Sequence, residues 1–180
     1  SRFIEEDCYI SAHDANTGKL AWRFNTIAES GTPGGDTWGD IDDLFRAGGE
    51  TWITGSYDPE LKLTYWGTAQ QKPWMPASRS LSIFDAGLFT NSTVAIDVDN
   101  GELDWHFQHV PAEALDLDEV FERVLIDRGD DKLVFSIGKH GILWKHDRVS
   151  GKFVDFKETI FQNAFTNIDK KTGEVTYRQD

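Results

Sequence analysis

The stretch that decides the fold is Ile96-Asp97-Val98-Asp99-Asn100-Gly101-Glu102-Leu103-Asp104-Trp105, because relatives of it recur along the chain. Each copy reads Asp, two variable residues, a Thr, Asn or Ser, then Gly and a charged residue. An aromatic residue follows four or five positions after the Gly. The other copies occupy residues 13–22, 146–156 and 168–177.

This pattern predicts a β-hairpin. Asp, Thr, Asn and Ser side chains bond to nearby backbone in turns, Gly supplies positive φ, and the aromatic residue lies on the return strand and packs on the sheet face. Recurrence of the turn predicts a β-propeller or another array of stacked sheets. The first interval, from Gly18 to Gly101, leaves room for a large insertion. The last, from Gly151 to Gly173, is too short for a four-stranded unit and indicates a hairpin within one unit.

The sequence outside the repeated turns also predicts mainly β-strands. A short helix is predicted around Leu117–Leu125, and residues 27–49 read as loop. Runs rich in β-branched or aromatic residues predict strands at Cys8–His13, Thr51–Tyr57, Leu63–Gly67, Thr93–Asp97, Asp104–His109, Lys132–Ile137 and Ile142–Asp147.

Composition excludes several classes of protein. The 180 residues carry 18 Lys and Arg against 31 Asp and Glu, a net charge of −13, which argues against nucleic-acid binding and against docking on an anionic membrane. Charges or turn residues interrupt every apolar run, so no transmembrane helix is predicted. The single cysteine, Cys8, rules out a disulfide framework within the chain.

A second motif begins at Gly48-Gly49-Glu50-Thr51-Trp52-Ile53-Thr54-Gly55-Ser56-Tyr57-Asp58-Pro59. It continues through Leu63-Thr64-Tyr65-Trp66-Gly67-Thr68-Ala69-Gln70-Gln71-Lys72-Pro73-Trp74. This block resembles the pyrroloquinoline quinone (PQQ)-dependent alcohol dehydrogenases, the quinoprotein methanol and ethanol dehydrogenase group. The repeated turns are similar to the tryptophan-docking repeats of that family.

The resemblance implies an all-β fold, an eight-bladed propeller of four-stranded antiparallel blades that is much longer than this chain. Residues 1–180 are then a partial PQQ-binding propeller domain, an internal piece of about a third of the ring. It further implies oxidation of a primary or related alcohol with PQQ and a Ca²⁺ or lanthanide ion. A cytochrome c-type electron acceptor and a periplasmic location are expected on the same basis.

Three residues are candidates for holding the quinone. Trp52 matches the tryptophan that forms a flat floor under the PQQ rings, and indole offers the largest aromatic face; the alternative is a buried strand tryptophan. Thr51 is expected to bond a PQQ carboxylate, in preference to Glu50, whose charge is unfavourable there. Lys139 matches a catalytic cation that contacts the quinone oxygens and helps to hold charge on the reduced quinone; the alternative is an ordinary turn lysine.

Four residues are candidates for metal binding or proton transfer. By resemblance, Asp116 takes the place of the catalytic base that also binds the metal, although Leu115 stands where the family has Trp. Asp118 matches an extra carboxylate of lanthanide-using members. Gln70 stands where the family has a metal-binding Asn, and Glu6 is a weaker candidate for a metal-binding Glu.

Alternatives to this assignment remain at the level of sequence. Asp116, Asp118, Glu119 and Glu122 could form a solvated acidic stretch at the start of a helix, and Gln70 could be a plain loop residue. The histidines show no spacing typical of zinc. The alternative function is a non-catalytic PQQ-like propeller that serves as a protein-binding scaffold in outer-membrane assembly. Such a scaffold has no need of the 52–74 block, Asp116 and Lys139.

Overall fold

A computed structural model of the chain describes residues 8–178 and shows an all-β protein built from four antiparallel sheets. In every sheet, neighbouring strands are also consecutive in sequence, so the chain folds as a series of meanders. The first sheet is β1 (Tyr9–His13) and β2 (Leu20–Asn25). The second is β3 (Ser56–Asp58), β4 (Leu63–Gly67), β5 (Ser92–Asp97) and β6 (Leu103–Gln108). The third is β7 (Val124–Arg128), β8 (Asp131–Ile137), β9 (Ile142–Asp147) and β10 (Phe153–Glu158). The fourth is the hairpin β11 (Phe165–Ile168) and β12 (Val175–Tyr177).

The helical content of the described residues consists of short 3₁₀ turns. These turns cover Gly35–Trp38, Asp43–Phe45 and Pro76–Arg79, all in the long connections before β3 and between β4 and β5. Over residues 8–178, no helix has the length and apolar content that crossing a membrane requires.

The repeated turns adopt the predicted hairpin geometry. In the first copy, the Asp14 carboxylate accepts hydrogen bonds from the backbone N–H groups of Asn16 and Thr17, at 3.1 and 2.7 Å. The glycine of each copy donates its N–H to the carbonyl of the turn aspartate at 2.8–2.9 Å. The four glycines have φ between 70° and 79°, which explains why every copy has glycine at the end of its turn.

Consecutive sheets are joined by an aromatic side chain that docks on the next turn. Trp22 of β2 donates its indole N–H to the Val98 carbonyl at 2.8 Å, and a Cβ on Gly101 would lie 2.7 Å from its ring. One sheet further on, Trp105 donates to the Arg148 carbonyl at 3.1 Å. The same relation therefore repeats from sheet to sheet, as expected for successive blades of a propeller.

A hydrophobic cluster fills the space between each pair of neighbouring sheets. The first cluster contains Ile10 of β1 with Val94 and Ile96 of β5. The second joins the two four-stranded sheets through residues that include Tyr65 and Val134. The third packs β9 and β10 against the last hairpin, and its members are Val110, Ile142, Trp144, Phe153, Phe165 and Ile168. The core is thus a row of layers between sheets, as in a propeller.

Two predicted elements are wrong. The helix at Leu117–Leu125 is absent: the chain runs irregularly to Arg123, and β7 begins at Val124. The Arg123 guanidinium donates to the carbonyls of Phe121 and Glu119, the acceptors that a helix would need for its own N–H groups.

The predicted strand Thr51–Tyr57 is also too long, because β3 starts only at Ser56. At Gly55 a Cβ would lie 2.4 Å from the Trp66 ring. The chain therefore passes close over an aromatic face before it enters the sheet.

Candidate functional site

Three irregular segments, each next to a strand of the two four-stranded sheets, bring four of the predicted site residues together. Gln70 follows β4, Asp116 and Asp118 precede β7, and Lys139 follows β8. Their side chains form one hydrogen-bonded cluster. We call these four residues the carboxylate–lysine cluster.

Asp116 is the exposed carboxylate of the cluster. Its Oδ1 accepts hydrogen bonds from Gln70 Nε2 at 2.6 Å and from Lys139 Nζ at 3.0 Å. The side chain is 61% exposed, so it can be reached from outside the protein. Its backbone is left-handed, with φ of 60°, a conformation that aspartate tolerates better than most residues.

Asp118 is the buried carboxylate of the cluster, with a side chain only 3% exposed. Its Oδ1 accepts the backbone N–H of Gln70 at 3.0 Å, and its Oδ2 accepts from Lys139 Nζ at 2.6 Å. Both oxygens are therefore engaged by donors of the protein. This geometry makes Asp118 the group that fixes Gln70 and Lys139 relative to each other.

Lys139 bridges the two carboxylates as an ammonium ion. Partial burial alone would lower the pKa of Lys139, but hydrogen bonds and charge from Asp118 and Asp116 outweigh it and raise that pKa. The side chain remains 36% exposed. A fixed cation is thus presented at an accessible surface.

Gln70 contributes an oxygen that is not used inside the described structure. The residue is 5% exposed, and its Oε1 is buried without a hydrogen-bond partner. A buried amide oxygen beside a carboxylate suits a hard cation such as Ca²⁺, so Gln70 and Asp116 fit as a partial ligand set. No group of three or more His, Cys, Asp or Glu residues arranged to bind a metal is found within 8–178, and Glu6 lies outside the described residues.

Trp52 and Thr51 follow a segment that pairs with the Gln70 segment. Gly49 donates its N–H to the Gln70 carbonyl at 3.2 Å, and Ala69 donates to the Glu50 carbonyl at 2.9 Å. Trp52 is 50% exposed, which excludes the alternative of a buried strand tryptophan and leaves part of the indole open.

Glu50, the alternative to Thr51 for binding the quinone, forms an ion pair within the protein. Its carboxylate binds Lys72 Nζ at 2.6 Å. This ion pair neutralises the glutamate next to Thr51, so the threonine is the better hydrogen-bonding group for an anion.

The sequence did not reveal how many charged groups are buried behind the cluster. Glu113 and Glu119 are 1% and 0% exposed, and Arg123 is 2% exposed, so a simple solvated acidic stretch is wrong for this segment. Burial raises the pKa of Glu113 and lowers the pKa of Arg123 to about 10.

Two cavities lie away from the cluster. One of about 500 Å³ is lined by residues that include His106 and Glu174. One of about 260 Å³ between β2 and β6 is lined by residues that include Arg23, Glu29 and Phe89. None of the residues that line these two cavities belongs to the carboxylate–lysine cluster.

Comparison with known proteins gives one consistent match. Residues 2–178 match the family model described as PQQ, the β-propeller domain of glucose/ethanol/alcohol dehydrogenases. The quinohemoprotein alcohol dehydrogenase ADH-IIG of Pseudomonas putida is 35% identical over 92% of this chain and 25% of its own length. The dehydrogenase subunit of the quinone alcohol dehydrogenase of Acetobacter aceti is 31% identical over 96% of this chain and 26% of its length.

Solved structures give the same match. The structure of ADHIIG from Pseudomonas putida superimposes with a TM-score of 0.86 at 31% identity, covering 94% of this chain and 27% of that one. The chain thus spans about a quarter of the length of the relatives it matches.

Proposed function

Because the chain belongs to the family of PQQ β-propeller domains of glucose/ethanol/alcohol dehydrogenases, we propose that it forms part of a quinoprotein dehydrogenase that oxidises a primary alcohol, or a related alcohol or polyol, to the aldehyde. The observation that carries this proposal is the carboxylate–lysine cluster, which gathers an accessible carboxylate, a fixed ammonium ion and an unpaired amide oxygen from three segments. A protein-binding scaffold leaves this arrangement unexplained.

Each residue has a defined task under this proposal. When bound, PQQ would supply the two-electron quinone oxidant and a Ca²⁺ or lanthanide ion would supply a Lewis acid. Trp52 offers an aromatic face for the rings and Thr51 a hydroxyl for a carboxylate. Gln70 and Asp116 supply oxygen ligands, with Asp118 and Glu6 as further candidates.

Asp116 is the proton acceptor. Its carboxylate is exposed, so an alcohol hydroxyl can approach it, and general-base catalysis requires a hydrogen bond to the proton that is removed. Lys139 keeps a positive charge beside Asp116. That charge stabilises negative charge that develops near it.

The electron acceptor and the cellular location follow from the family rather than from the cluster. A relative named quinohemoprotein combines a quinone with a haem, which supports a cytochrome c-type electron acceptor for the complete protein. The periplasmic location rests on the family resemblance. Cell fractionation with antibody detection tests the location, and cytoplasmic recovery would contradict it.

Quinone binding is the first test. Titrating the chain with PQQ in the presence of Ca²⁺ or La³⁺ should quench tryptophan fluorescence, and Asp116→Asn and Lys139→Met should each weaken binding. The substitution Lys62→Met, at an exposed lysine that pairs with Asp99, serves as the control for loss of a positive charge.

Activity is the second test. The complete protein that contains this chain, reconstituted with PQQ and either metal, should reduce a dye only when alcohol is present. Absence of alcohol-dependent reduction with both metals would contradict the proposal.

A further inference from the structure

Directly behind the carboxylate–lysine cluster lies a second acidic and basic pair, which neither the sequence pattern nor the proposed function uses. The Glu119 carboxylate faces the Nε2 of His140, and the two side chains are 0% and 1% exposed. Each residue follows a member of the cluster in sequence: Glu119 comes after Asp118, and His140 comes after Lys139. The buried pair is therefore next to the cluster in sequence on two of its segments.

Contacts at both ring nitrogens fix the orientation of His140. Its Nδ1 accepts the backbone N–H of Ile142 at 3.0 Å. Its Nε2 faces the Glu119 carboxylate and lies 3.5 Å from the indole nitrogen of Trp144. The ring itself is held edge-on against Trp144 and packs against Phe165.

Glu119 touches all the segments that carry the cluster. A Cβ on Gly67, which lies three residues before Gln70, would be only 2.5 Å from the Glu119 carbonyl oxygen. The Glu119 carboxylate occupies the position that a Cβ on Gly138, the residue before Lys139, would take. Arg123 Nη2 donates to the same carbonyl at 2.7 Å. Glycine is required at both positions because any side chain would collide with this residue.

We propose that Glu119 and His140 are a positioning pair: the buried contact between their side chains holds the three segments in register, so that Lys139 and Asp118 meet in the geometry needed to bind the quinone. This inference rests on the proposed function for its last step, the quinone. Residues behind a binding site often set its affinity by orienting the groups that touch the ligand.

Three variants of the pair and one control variant test this proposal. Glu119→Ala removes the carboxylate, whereas Glu119→Gln keeps the volume and an oxygen that can face His140. His140→Phe keeps the aromatic packing and removes the ring nitrogens, and it replaces Glu119→Ala if that variant does not fold. Glu122→Ala removes an exposed glutamate three residues away and controls for loss of a negative charge.

Hydrogen exchange measured by mass spectrometry tests positioning without any cofactor. In Glu119→Ala or His140→Phe, exchange should rise in peptides that cover residues 67–71, 116–120 and 138–141 and stay unchanged in the β1–β2 hairpin. Glu119→Gln and Glu122→Ala should resemble the wild type. An unchanged pattern, or a rise that is uniform along the chain, would overturn the proposal, as would a Glu119→Gln variant that behaves like Glu119→Ala.

Quinone titration supplies the functional readout. The PQQ concentration for half-maximal quenching should rise by about 10-fold in Glu119→Ala or His140→Phe and stay within about 2-fold in Glu119→Gln. Equal quenching in all variants would overturn the role in binding. If the wild-type chain binds no PQQ, the proposed function fails on its own, while the exchange pattern still decides whether the pair positions the cluster.

Discussion

The repeated turns and the carboxylate–lysine cluster are both made of connections between strands, yet they are stabilised in opposite ways. At the turn of Gly151, an aromatic ring covers the backbone and the indole N–H of Trp105 satisfies the Arg148 carbonyl. At the cluster, Asp118 and Lys139 are fixed by charge and hydrogen bonds, with Asp116 left exposed. The turns therefore hold the sheets together, whereas the cluster presents polar groups at a surface.

The first prediction tests the apolar side of this comparison. Trp105 is 7% exposed and joins the two four-stranded sheets. Trp105→Ala should lower the free energy of unfolding by about 3–5 kcal/mol, because it removes a large buried side chain and leaves a cavity. Urea unfolding followed by circular dichroism measures the loss. A change below about 1 kcal/mol would show that the docked tryptophans do not hold the sheets together.

The second prediction concerns a buried ion pair that serves the same joint between sheets. Asp58 Oδ2 and Arg148 Nε lie 2.6 Å apart, and both side chains are at most 6% exposed. Asp58→Asn leaves the guanidinium without its buried counter-ion and should cost about 2–3 kcal/mol. Asp127→Asn, at the exposed partner of the same arginine, is the matched control and should cost less than about 1 kcal/mol.

Stability should also depend on pH through Asp58. Burial alone would raise the pKa of Asp58, but hydrogen bonds from the Leu61 N–H and the Arg148 guanidinium outweigh it and lower that pKa. A lowered pKa means that the stabilisation is fully present above the unfolded value of about 3.9 and is lost as the pH falls through the folded value. Wild type and Asp58→Asn should therefore converge in stability below that range. A gap that persists in acid would contradict this.

The comparison also explains how much could be predicted from the sequence. The turns repeat a local pattern in which Asp14 and Gly18 act on their own neighbours, so four copies could be recognised and the hairpins placed. The cluster depends on segments far apart in sequence, and only the resemblance to a family singled out Asp116 and Lys139. Glu119 was missed because burial of a charged residue depends on packing from other segments, which no local pattern records.

A fourth prediction separates the stability lost by straining the backbone of a turn from the stability lost by displacing the ring that docks on it. Gly151 and Gly18 both have φ of 70°. A Cβ on Gly151 would lie 2.5 Å from the Trp105 ring, whereas no described atom lies within 4 Å of one on Gly18. Alanine at either position should cost about 1–2 kcal/mol for the left-handed backbone. Gly151→Ala should cost about 1–3 kcal/mol more, since the ring must move. Equal losses in thermal unfolding would mean that the ring shifts freely.

The smallest effect on stability is expected at the tryptophan assigned to the quinone. Trp52 is 50% exposed, so Trp52→Ala should change the free energy of unfolding by less than about 1 kcal/mol. Quinone binding should nevertheless weaken by about 10-fold, because the aromatic face is lost. Phe161→Ala, at an aromatic residue 87% exposed and outside the 52–74 block, is the control and should leave binding unchanged when absorbance of the bound quinone is the readout. A large loss of stability in Trp52→Ala would place Trp52 with Trp105 among the structural tryptophans. Equal weakening of quinone binding by Trp52→Ala and by the control would contradict the role of Trp52 in binding the quinone.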